Sequence, residues 1–167
     1  MGAAFEIRLA LESDLPAMVA IYNSSIPGRM ATADVEPVTV ESRMGWFADH
    51  AKNNRPLWVA VNGDEVVGYL SVRDFYSRTA YKSTVEVGLY VHPNYQKQGL
   101  GKQLLNHLEA NAKEFDLRIL TAYIFAHNAP SLKLFRSFGY EQWAHLPSVA
   151  IIDSKMIDLL ILGKQLP

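Results

Sequence analysis

Residues 84–108 read TVEVGLYVHPNYQKQGLGKQLLNHL, and they predict a strand, a glycine-rich turn and a helix in direct succession. From position 84 to position 91 the side chains alternate between two faces, as they do along a β-strand. Gly99 and Gly101 form the turn, and the leucines that follow recur every three or four residues, which predicts an amphipathic helix over residues 99–115. The first N–H groups of a helix lack partners within it and attract anions, so the turn is a candidate phosphate site.

The turn does not match either of two common nucleotide-binding patterns. A Rossmann fingerprint requires a third glycine where this chain has Leu104. A P-loop requires Ser or Thr at the position of Gln103 and a further glycine at the position of Gln96. A pair of glycines that merely begins a helix is about as good an explanation, so the local pattern leaves a phosphate site and a simple helix start both open.

The remaining segments extend this unit to the order β-α-α-β-β-β-α-β-α-β-β. The clearest of them is a hairpin with Asn62-Gly63 as its two-residue turn, because both residues tolerate positive φ. Helices are predicted to begin at the N-caps Ser13 and Thr39. The other segments are predicted as strands at 5–9, 118–125, 140–148 and 151–162 and as a helix at 130–138. This order predicts an α/β fold with a mixed, mostly antiparallel sheet and helices on both faces.

The composition indicates a globular protein with one domain, residues 1–167, since 49% of the residues are hydrophobic and 20% are charged. A formal net charge of −1 gives no general electrostatic reason to bind nucleic acid or a membrane. There is no cysteine, and the five histidines show no metal-binding spacing, so we expect no metal site. The N-terminal MGAAFEIRLA has no secretory pattern and no apolar run reaches about 18 residues, so we expect a cytoplasmic protein.

Two sequence blocks bear on the glycine-rich turn. VGLYVHPNYQKQGLGKQLLNHL resembles the signature of the GNAT N-acetyltransferases, with Gln96, Gly99 and Gly101 at the defined positions of Q/R-x-x-G-x-G/A. HNAPSLKLFRSFGY resembles the second block of that family, N-x-x-S-x-x-L-(Y/F)-x-x-x-G-(F/Y). IYNSSIPGRMATADVEPVTVESRMGWF and AYKSTVEVGLYV are similar to the phosphinothricin N-acetyltransferase-like branch, and this resemblance extends from about Ile7 to the C-terminus.

The resemblance implies a GNAT-like fold with acetyl-CoA as cosubstrate. It implies that the turn holds the pyrophosphate of acetyl-CoA and that the backbone of residues 89–91 pairs with the pantetheine arm as an added strand does. It also implies that Asn128 contacts this arm, although Asn128 and Ser131 begin a predicted helix and capping explains them as well. The positions implicated in binding acetyl-CoA are Leu89, Tyr90, Val91, Gln96, Lys97, Gln98, Gly99, Leu100, Gly101, Lys102, Asn128, Ser131 and Phe135.

Glu86 is the first candidate for a catalytic base. It shares one face of its strand with Thr84, Gly88 and Tyr90, and a glutamate within an apolar strand is costly to bury unless it is paired or functional. Gly88 leaves room for a ligand beside it. A structural ion pair with Arg73 explains Glu86 equally well from the sequence alone. The resemblance favours catalysis, because the branch carries a glutamate here that acts as a base directly or through water.

Phe135 differs from the residue that is common at this position in the family that the sequence resembles. Many family members have a tyrosine at this position that is proposed to protonate the departing thiolate, and phenylalanine has no proton to give. A thiol pKa of about 8.5 allows departure as the anion. Tyr90 and Tyr140 carry hydroxyls, but the sequence places neither at the sulfur, so no general acid is assigned.

Loops supply the candidates for binding the substrate, since specificity commonly lies there. Arg29 and Glu36 lie in the first long loop, and Arg73, Tyr81 and Thr84 lie before or at the start of the strand that carries the candidate base. An arginine binds a carboxylate through two parallel hydrogen bonds, which favours Arg73 as the carboxylate ligand. Simple surface exposure explains Arg73 and Glu36 equally well.

Together these observations predict an enzyme that moves an acetyl group from acetyl-CoA to the primary amine of a small amino-acid-like substrate. The resemblance implies substrates of the type of phosphinothricin, methionine sulfoximine and methionine sulfone, and we expect direct attack in a ternary complex. Two alternatives stay open: another acceptor, such as a protein N-terminus or a polyamine, and a non-catalytic acetyl-CoA sensor. The apolar final strands, VAIIDSKMIDLLILGK, predict a homodimer, because an uncovered sheet edge invites association.

Overall fold

A computed structural model describes residues 4–167, so the predictions for the first three residues lie outside the described part of the chain. Four helices and seven strands follow one another in the predicted order, with short 3₁₀ turns between some of them. The elements are β1 (Glu6–Leu9), α1 (Leu15–Ser25), α2 (Val40–Lys52), β2 (Leu57–Asn62), β3 (Glu65–Asp74), β4 (Thr84–Val91), α3 (Leu100–Asn111), β5 (Ile119–Phe125), α4 (Ala129–Ser137), β6 (Glu141–Ile152) and β7 (Lys155–Gln165).

The seven strands form one sheet in the order β1-β2-β3-β4-β5-β7-β6. All neighbours are antiparallel except β4 and β5, which the α3 crossover joins as a parallel pair. Leucines of α3 and α4 pack on one face of the sheet, and α1 and α2 pack on the other. The predicted mixed, mostly antiparallel sheet with helices on both faces is therefore confirmed.

The parallel pair is joined only at one end. Thr84–Glu86 pair with Ile119–Thr121, and both strands then continue without pairing to each other. The sheet consequently opens between β4 and β5 beyond Glu86. An opening of this kind exposes strand backbone that would otherwise be paired, which is an opportunity for an extended ligand.

Two predicted turns are misplaced. Asn62 pairs with Glu65 across the first hairpin, so the turn residues are Gly63 and Asp64 rather than Asn62 and Gly63, and Gly63 takes the positive φ of 61°. The last hairpin turns at Asp153 and Ser154, both with positive φ, and β6 therefore extends beyond the predicted position 148. The positive φ of Ser148 accompanies a bulge inside the strand and not its end.

The start of α1 also differs from prediction. A 3₁₀ turn at Glu12–Asp14 precedes the helix, and Asp14 rather than Ser13 stands at its N-cap. The Asp14 carboxylate accepts hydrogen bonds from the Arg8 guanidinium, at 2.8 and 3.0 Å, and from the Leu11 N–H at 2.7 Å. Asp14 thus links β1 to the start of the helix. The Thr39 cap of α2 is confirmed, since its hydroxyl accepts from the Ser42 N–H.

Two kinds of feature are absent from the described residues, namely a membrane-spanning helix and a metal-binding group of side chains. Among residues 4–167, no helix has both the length and the apolar character needed to cross a bilayer. Over the same residues, no three His, Asp or Glu side chains lie together as a group that could bind a metal ion.

Candidate active site

A cavity of about 400 Å³ lies between the α1–α2 side of the protein and the centre of the sheet. Its wall combines apolar side chains of α1 with polar side chains of β3 and β4. Arg43, Arg73 and Glu86 are the charged residues that line it, in the part of the chain that is described. This mixture of apolar surface and a few polar groups is typical of a small-molecule site.

Glu86 and Arg73 face each other across the strands β4 and β3. They are directly opposite in the register, and Arg73 Nη2 lies 3.0 Å from Glu86 Oε1. The Glu86 side chain is 24% exposed and that of Arg73 is 49% exposed. The ion pair that the sequence left open is therefore present, and it lies at a cavity wall, where both side chains are also partly exposed. A structural and a functional role do not exclude each other here.

The face of β4 that carries Glu86 is the one predicted. Val85 and Val87 are buried in the core on the α3 side, whereas Glu86 and Gly88 line the cavity. A Cβ at Gly88 would lie 2.9 Å from Ser71 Oγ, which is too close for most contacts. The Ser71 hydroxyl therefore fills part of the space beside Gly88, and that space is smaller than the sequence indicated.

Three tyrosines form one end of the cavity. The Tyr69 and Tyr90 rings are stacked at 5.3 Å between centroids, and the Tyr22 ring lies 5.1 Å from that of Tyr90. Burial raises the pKa of Tyr69 and of Tyr90 above the usual value, so both hydroxyls stay protonated. The Tyr90 hydroxyl lies 3.4 Å from the carbonyl of Ala31, in the loop after α1.

Sequence reasoning missed Arg43. Its guanidinium lies 4.7 Å from the centre of the Tyr22 ring, and its Nη2 is 3.1 Å from Asp34 Oδ2. The Tyr22 hydroxyl also contacts the Asp34 carboxylate and lies 2.5 Å from Thr32 Oγ1. Helical spacing was the available signal, because Arg43 lies three residues before Trp46 on α2 and both line the cavity.

The glycine-rich turn has the backbone of an anion site. Lys97 and Gly99 both have positive φ, 61° and 81°, and α3 begins directly after Gly99. The first helical bond runs from Gln103 N–H to the Gly99 carbonyl, so the N–H groups of residues 100–102 have no acceptor within the helix. No acidic side chain stands in the first turn of α3. Consecutive free N–H groups at a positive helix end attract a phosphate.

The two glycines serve different ends. Gly99 supplies the left-handed conformation, and the space around its missing side chain is empty. A Cβ at Gly101 would lie 2.8 Å from Leu134 Cδ2, so Gly101 allows α4 to pack close to α3. The same Cβ would lie 3.6 Å from Leu89 Cδ2, which places the turn beside β4 and its opening.

Hydrogen-bond parity shows which backbone groups of β4 face that opening. Hydrogen-bonded pairs alternate along an antiparallel ladder. Phe75 N–H donates to the Thr84 carbonyl at 3.3 Å, and His92 N–H donates to the Val67 carbonyl at 2.8 Å. The even-numbered residues of β4 therefore bond to β3, and the odd-numbered residues from 87 to 91 direct their N–H and C=O groups into the opening.

Asn128 caps α4 and also holds a loop. Its Oδ1 accepts from the Ser131 N–H at 3.3 Å, which confirms the capping role. Its Nδ2 lies 3.2 Å from the carbonyl of Met30, and the neighbouring His127 Nε2 lies 2.9 Å from the carbonyl of Arg29. The start of α4 is thereby tied to the loop that covers the cavity.

Phe135 and Tyr140 lie in the core below the sheet and not in the cavity. Each is 3% exposed, and their rings meet edge to face at 5.0 Å. The Tyr140 hydroxyl is buried and has no hydrogen-bond partner among the described residues. Burial raises its pKa. Neither side chain is placed to contact a ligand in the cavity, because both pack between α3, α4 and the sheet.

Four predicted substrate residues do not line the cavity. Tyr81 packs on aromatic rings of its own loop, after β3. Thr84 lies at the joined end of β4 and β5, where the sheet is closed. Arg29 forms an ion pair with Asp153 at 3.0 Å, and Glu36 is exposed. The structure brings only Arg73 of the predicted substrate residues to the side of Glu86.

Comparison with known proteins agrees with this arrangement. Residues 17–140 match the sequence profile of the acetyltransferase (GNAT) family. The chain belongs to the GNAT acetyltransferase family. The matched segment runs from α1 to the end of α4, so it contains both sequence blocks and most of the cavity wall.

Several relatives of this GNAT protein are similar over nearly their whole length. YwnH of Bacillus subtilis (strain 168), provisionally named a phosphinothricin acetyltransferase, is 47% identical over 96% of this chain and 98% of its own. The methionine sulfoximine/methionine sulfone acetyltransferase of Salmonella typhimurium is 31% identical over 96% and 94% of the two chains. The crystal structure of a phosphinothricin acetyltransferase from Sinorhizobium meliloti in complex with acetyl-CoA has a TM-score of 0.92, with 26% identity over 98% and 89%.

Proposed function

We propose that this GNAT protein transfers the acetyl group of acetyl-CoA to the primary amine of a small amino-acid-like substrate. Phosphinothricin, methionine sulfoximine and methionine sulfone represent the substrate class, which the names of the relatives support. The observation that carries the proposal is the Glu86–Arg73 pair, in a cavity that adjoins the opening between β4 and β5. In this proposal Glu86 is the base and Arg73 binds the carboxylate of the same amino-acid substrate.

The proposed acetyl-CoA site is the turn before α3 together with the open edge of β4. The pyrophosphate would accept hydrogen bonds from the free N–H groups at residues 100–102, with Lys97 and Lys102 adding positive charge. The pantetheine arm would pair with the backbone of Leu89 and Val91, which direct their polar groups into the opening. Asn128 reaches the arm only if its amide exchanges the bond to Met30 for one to the ligand.

The proposed substrate site is the cavity wall at Arg73 and Glu86. Arg73 is half exposed and uses one nitrogen for Glu86, so its remaining N–H groups can bind the substrate carboxylate. Glu86 then lies beside the substrate ammonium and accepts its proton, directly or through one water. The free amine attacks the thioester carbonyl, whose oxygen takes up negative charge. CoA leaves as the thiolate when the C=O bond forms again, and the second proton of the attacking nitrogen leaves through Glu86, which has by then passed the first proton to solvent.

We further propose that two copies associate through the edge strand β6. Large apolar side chains on β6 and β7 are exposed on the described surface, namely Trp143, Val149, Ile151 and Met156. β6 pairs only with β7, so its outer backbone is free to pair. Light scattering at micromolar concentration should give the mass of a dimer, and the mass of a monomer would contradict this.

The proposal extends to the cellular location of the protein, its domain organisation and its binding partners. We propose a cytoplasmic protein, because acetyl-CoA is supplied there, and one domain over residues 1–167, because a single sheet uses strands from Glu6 to Gln165. We also propose no nucleic-acid or membrane partner, in keeping with a net charge of −1. Cell fractionation and salt-dependent binding to DNA or anionic vesicles test these points.

The activity is tested by release of free CoA thiol with a panel of amines. We expect transfer to phosphinothricin and methionine sulfone and little to spermidine or to a peptide N-terminus. Arg73→Met should raise the KM for methionine sulfone but not for its decarboxylated analogue, which has no carboxylate for Arg73 to bind. Arg78→Met removes an exposed arginine outside the cavity and is the matched control. CoA binding without transfer to any amine would instead support the sensor alternative.

A further inference from the structure

Tyr123 stands on the β5 side of the opening, across from the edge of β4. Thr121 is the last residue of β5 that pairs with β4, opposite Glu86, and Tyr123 follows two positions later on the same face. Its side chain lines the cavity together with Glu86 and Arg73 and is 38% exposed. The phenol therefore overhangs the point where the two strands separate.

The Tyr123 hydroxyl is the available donor at this point. Within residues 4–167 it has no hydrogen-bond partner. The Tyr22 hydroxyl is engaged by Asp34 and Thr32, and the Tyr90 hydroxyl lies 3.4 Å from the Ala31 carbonyl. Tyr140 is buried in the core on the opposite face of the sheet.

The reacting sulfur belongs where the strands separate. An arm that pairs with β4 along residues 87–91 cannot continue past Glu86, because β5 occupies the edge of β4 from there on. The thioester at the end of the arm consequently lies at the apex of the opening, between Glu86 on one strand and Tyr123 on the other. Phe135 offers no donor there, since it is a buried hydrocarbon ring.

We propose that the Tyr123 hydroxyl donates a hydrogen bond to the sulfur of the thioester as the carbon–sulfur bond breaks. This inference rests on the proposed acetyl transfer. The amine lone pair forms the new C–N bond, and the C=O electron pair moves to the oxygen. When the C=O bond forms again, the pair of the C–S bond departs on sulfur. The ammonium protons leave through Glu86, and Tyr123 keeps its own proton while stabilising the thiolate.

The electrostatic surroundings of Tyr123 suit a donor that is not an acid. Burial raises the pKa of Tyr123, and the nearby Glu86 charge raises it further, while Arg73 opposes the shift. The phenol thus stays protonated at neutral pH and above. A hydroxyl that keeps its proton stabilises a thiolate by hydrogen bonding and leaves the thiol to be re-formed in solvent.

Tyr123→Phe removes the hydroxyl and retains the ring. We would titrate the thiol of bound CoA through the ultraviolet absorbance of the thiolate, in the wild type and in the variant. One hydrogen bond to an anion should make the thiol acid dissociation constant about tenfold larger in the wild type. Binding of desulfo-CoA, which has no sulfur, should be equal in both proteins. In single-turnover experiments with acetyl-CoA and methionine sulfone, the rate constant for transfer should be about tenfold smaller in the variant. The concentration of methionine sulfone that gives half of the maximal rate should be unchanged.

Tyr76→Phe is the matched control, because Tyr76 is exposed and lies outside the cavity. It should match the wild type in every assay. If thermal unfolding curves show that both proteins are folded, an equal thiol titration in the wild type and in Tyr123→Phe would overturn the role of Tyr123. Equal single-turnover rates would overturn it as well. A wild type that binds CoA and transfers to no amine would remove the proposed function, while the thiol titration would still decide on Tyr123.

Discussion

Replacing Glu86 by glutamine removes the only carboxylate among the described residues that line the cavity. Glutamine has nearly the same size and keeps an oxygen that can accept from Arg73, which now lies 3.0 Å from Glu86 Oε1. The change therefore isolates the charge and the basicity of the group. Any loss of activity with a folded protein then reports on the charge or the basicity of Glu86 and not on its shape.

The structure sets different magnitudes for stability and for activity. The ion pair is partly exposed on both sides, at 24% and 49%, so its loss should lower the free energy of unfolding by less than about 1 kcal/mol. A positioned general base contributes about 10²- to 10⁴-fold to a rate. We expect kcat/KM at neutral pH to fall by about 100-fold, which corresponds to about 2.7 kcal/mol of transition-state stabilisation.

The assay is acetyl transfer from acetyl-CoA to methionine sulfone, followed as release of free thiol. The pH is varied from about 6 to about 10, which spans the pKa of an α-amino group at about 8. As the pH rises, more of the substrate amine is already neutral and needs no base. The ratio of wild-type to Glu86→Gln rates should therefore shrink with rising pH. Glu114→Gln is the control, because Glu114 is exposed and lies outside the cavity. A ratio that stays constant over the whole range would refute base catalysis by Glu86.

Three further substitutions test the framework through urea unfolding. Asp14→Asn should lower stability at pH 7 by about 1–3 kcal/mol. Because Arg8 lowers the pKa of Asp14, this contribution is present above about pH 4 and is lost as the pH falls through the lowered pKa, so the two proteins should converge near about pH 2; a constant gap would contradict it. Gly99→Ala should cost about 1–2 kcal/mol, since φ is 81° there, and no loss would show that the turn relaxes freely. Asn128→Ala should cost about 0.5–2 kcal/mol, and Asn128→Asp, which keeps the cap but not the donor to Met30, should cost less; equal costs would argue against the cap.

The fold was largely predictable because local signals agreed with one another. Alternation along residues 84–91 assigned Glu86 and Gly88 to one face and the valines to the other, and this is what the sheet shows. The capping residues Thr39 and Asn128 were predictable for the same reason, since a cap depends on neighbours three residues away. The turn at Asp153 was missed because Ser148 produces a bulge that resembles a strand end in the sequence.

The candidate site was predictable only in part. Glu86 and Arg73 come together because the antiparallel register of β3 and β4 opposes them. The sequence suggested the pair because Arg73 lies near the end of the strand that precedes the Glu86 strand. Arg43 and Tyr123 reach the same cavity from α2 and from β5, which are far away in the chain. Tyr81 and Glu36 seemed to be candidates by position in a loop, but the loops direct them away from the cavity.

The sequence by itself determined the order of elements, the two faces of the Glu86 strand, the glycine turn and its family resemblance, because all of these depend on residues that are close in the chain. Only the tertiary structure decided where the sheet opens, since that depends on β4 and β5 pairing over three residues and then separating. The same separation exposes Tyr123 at the cavity, where we propose that the reacting sulfur lies. Phe135 is withdrawn into the core, and Tyr123 projects from the other strand at the opening.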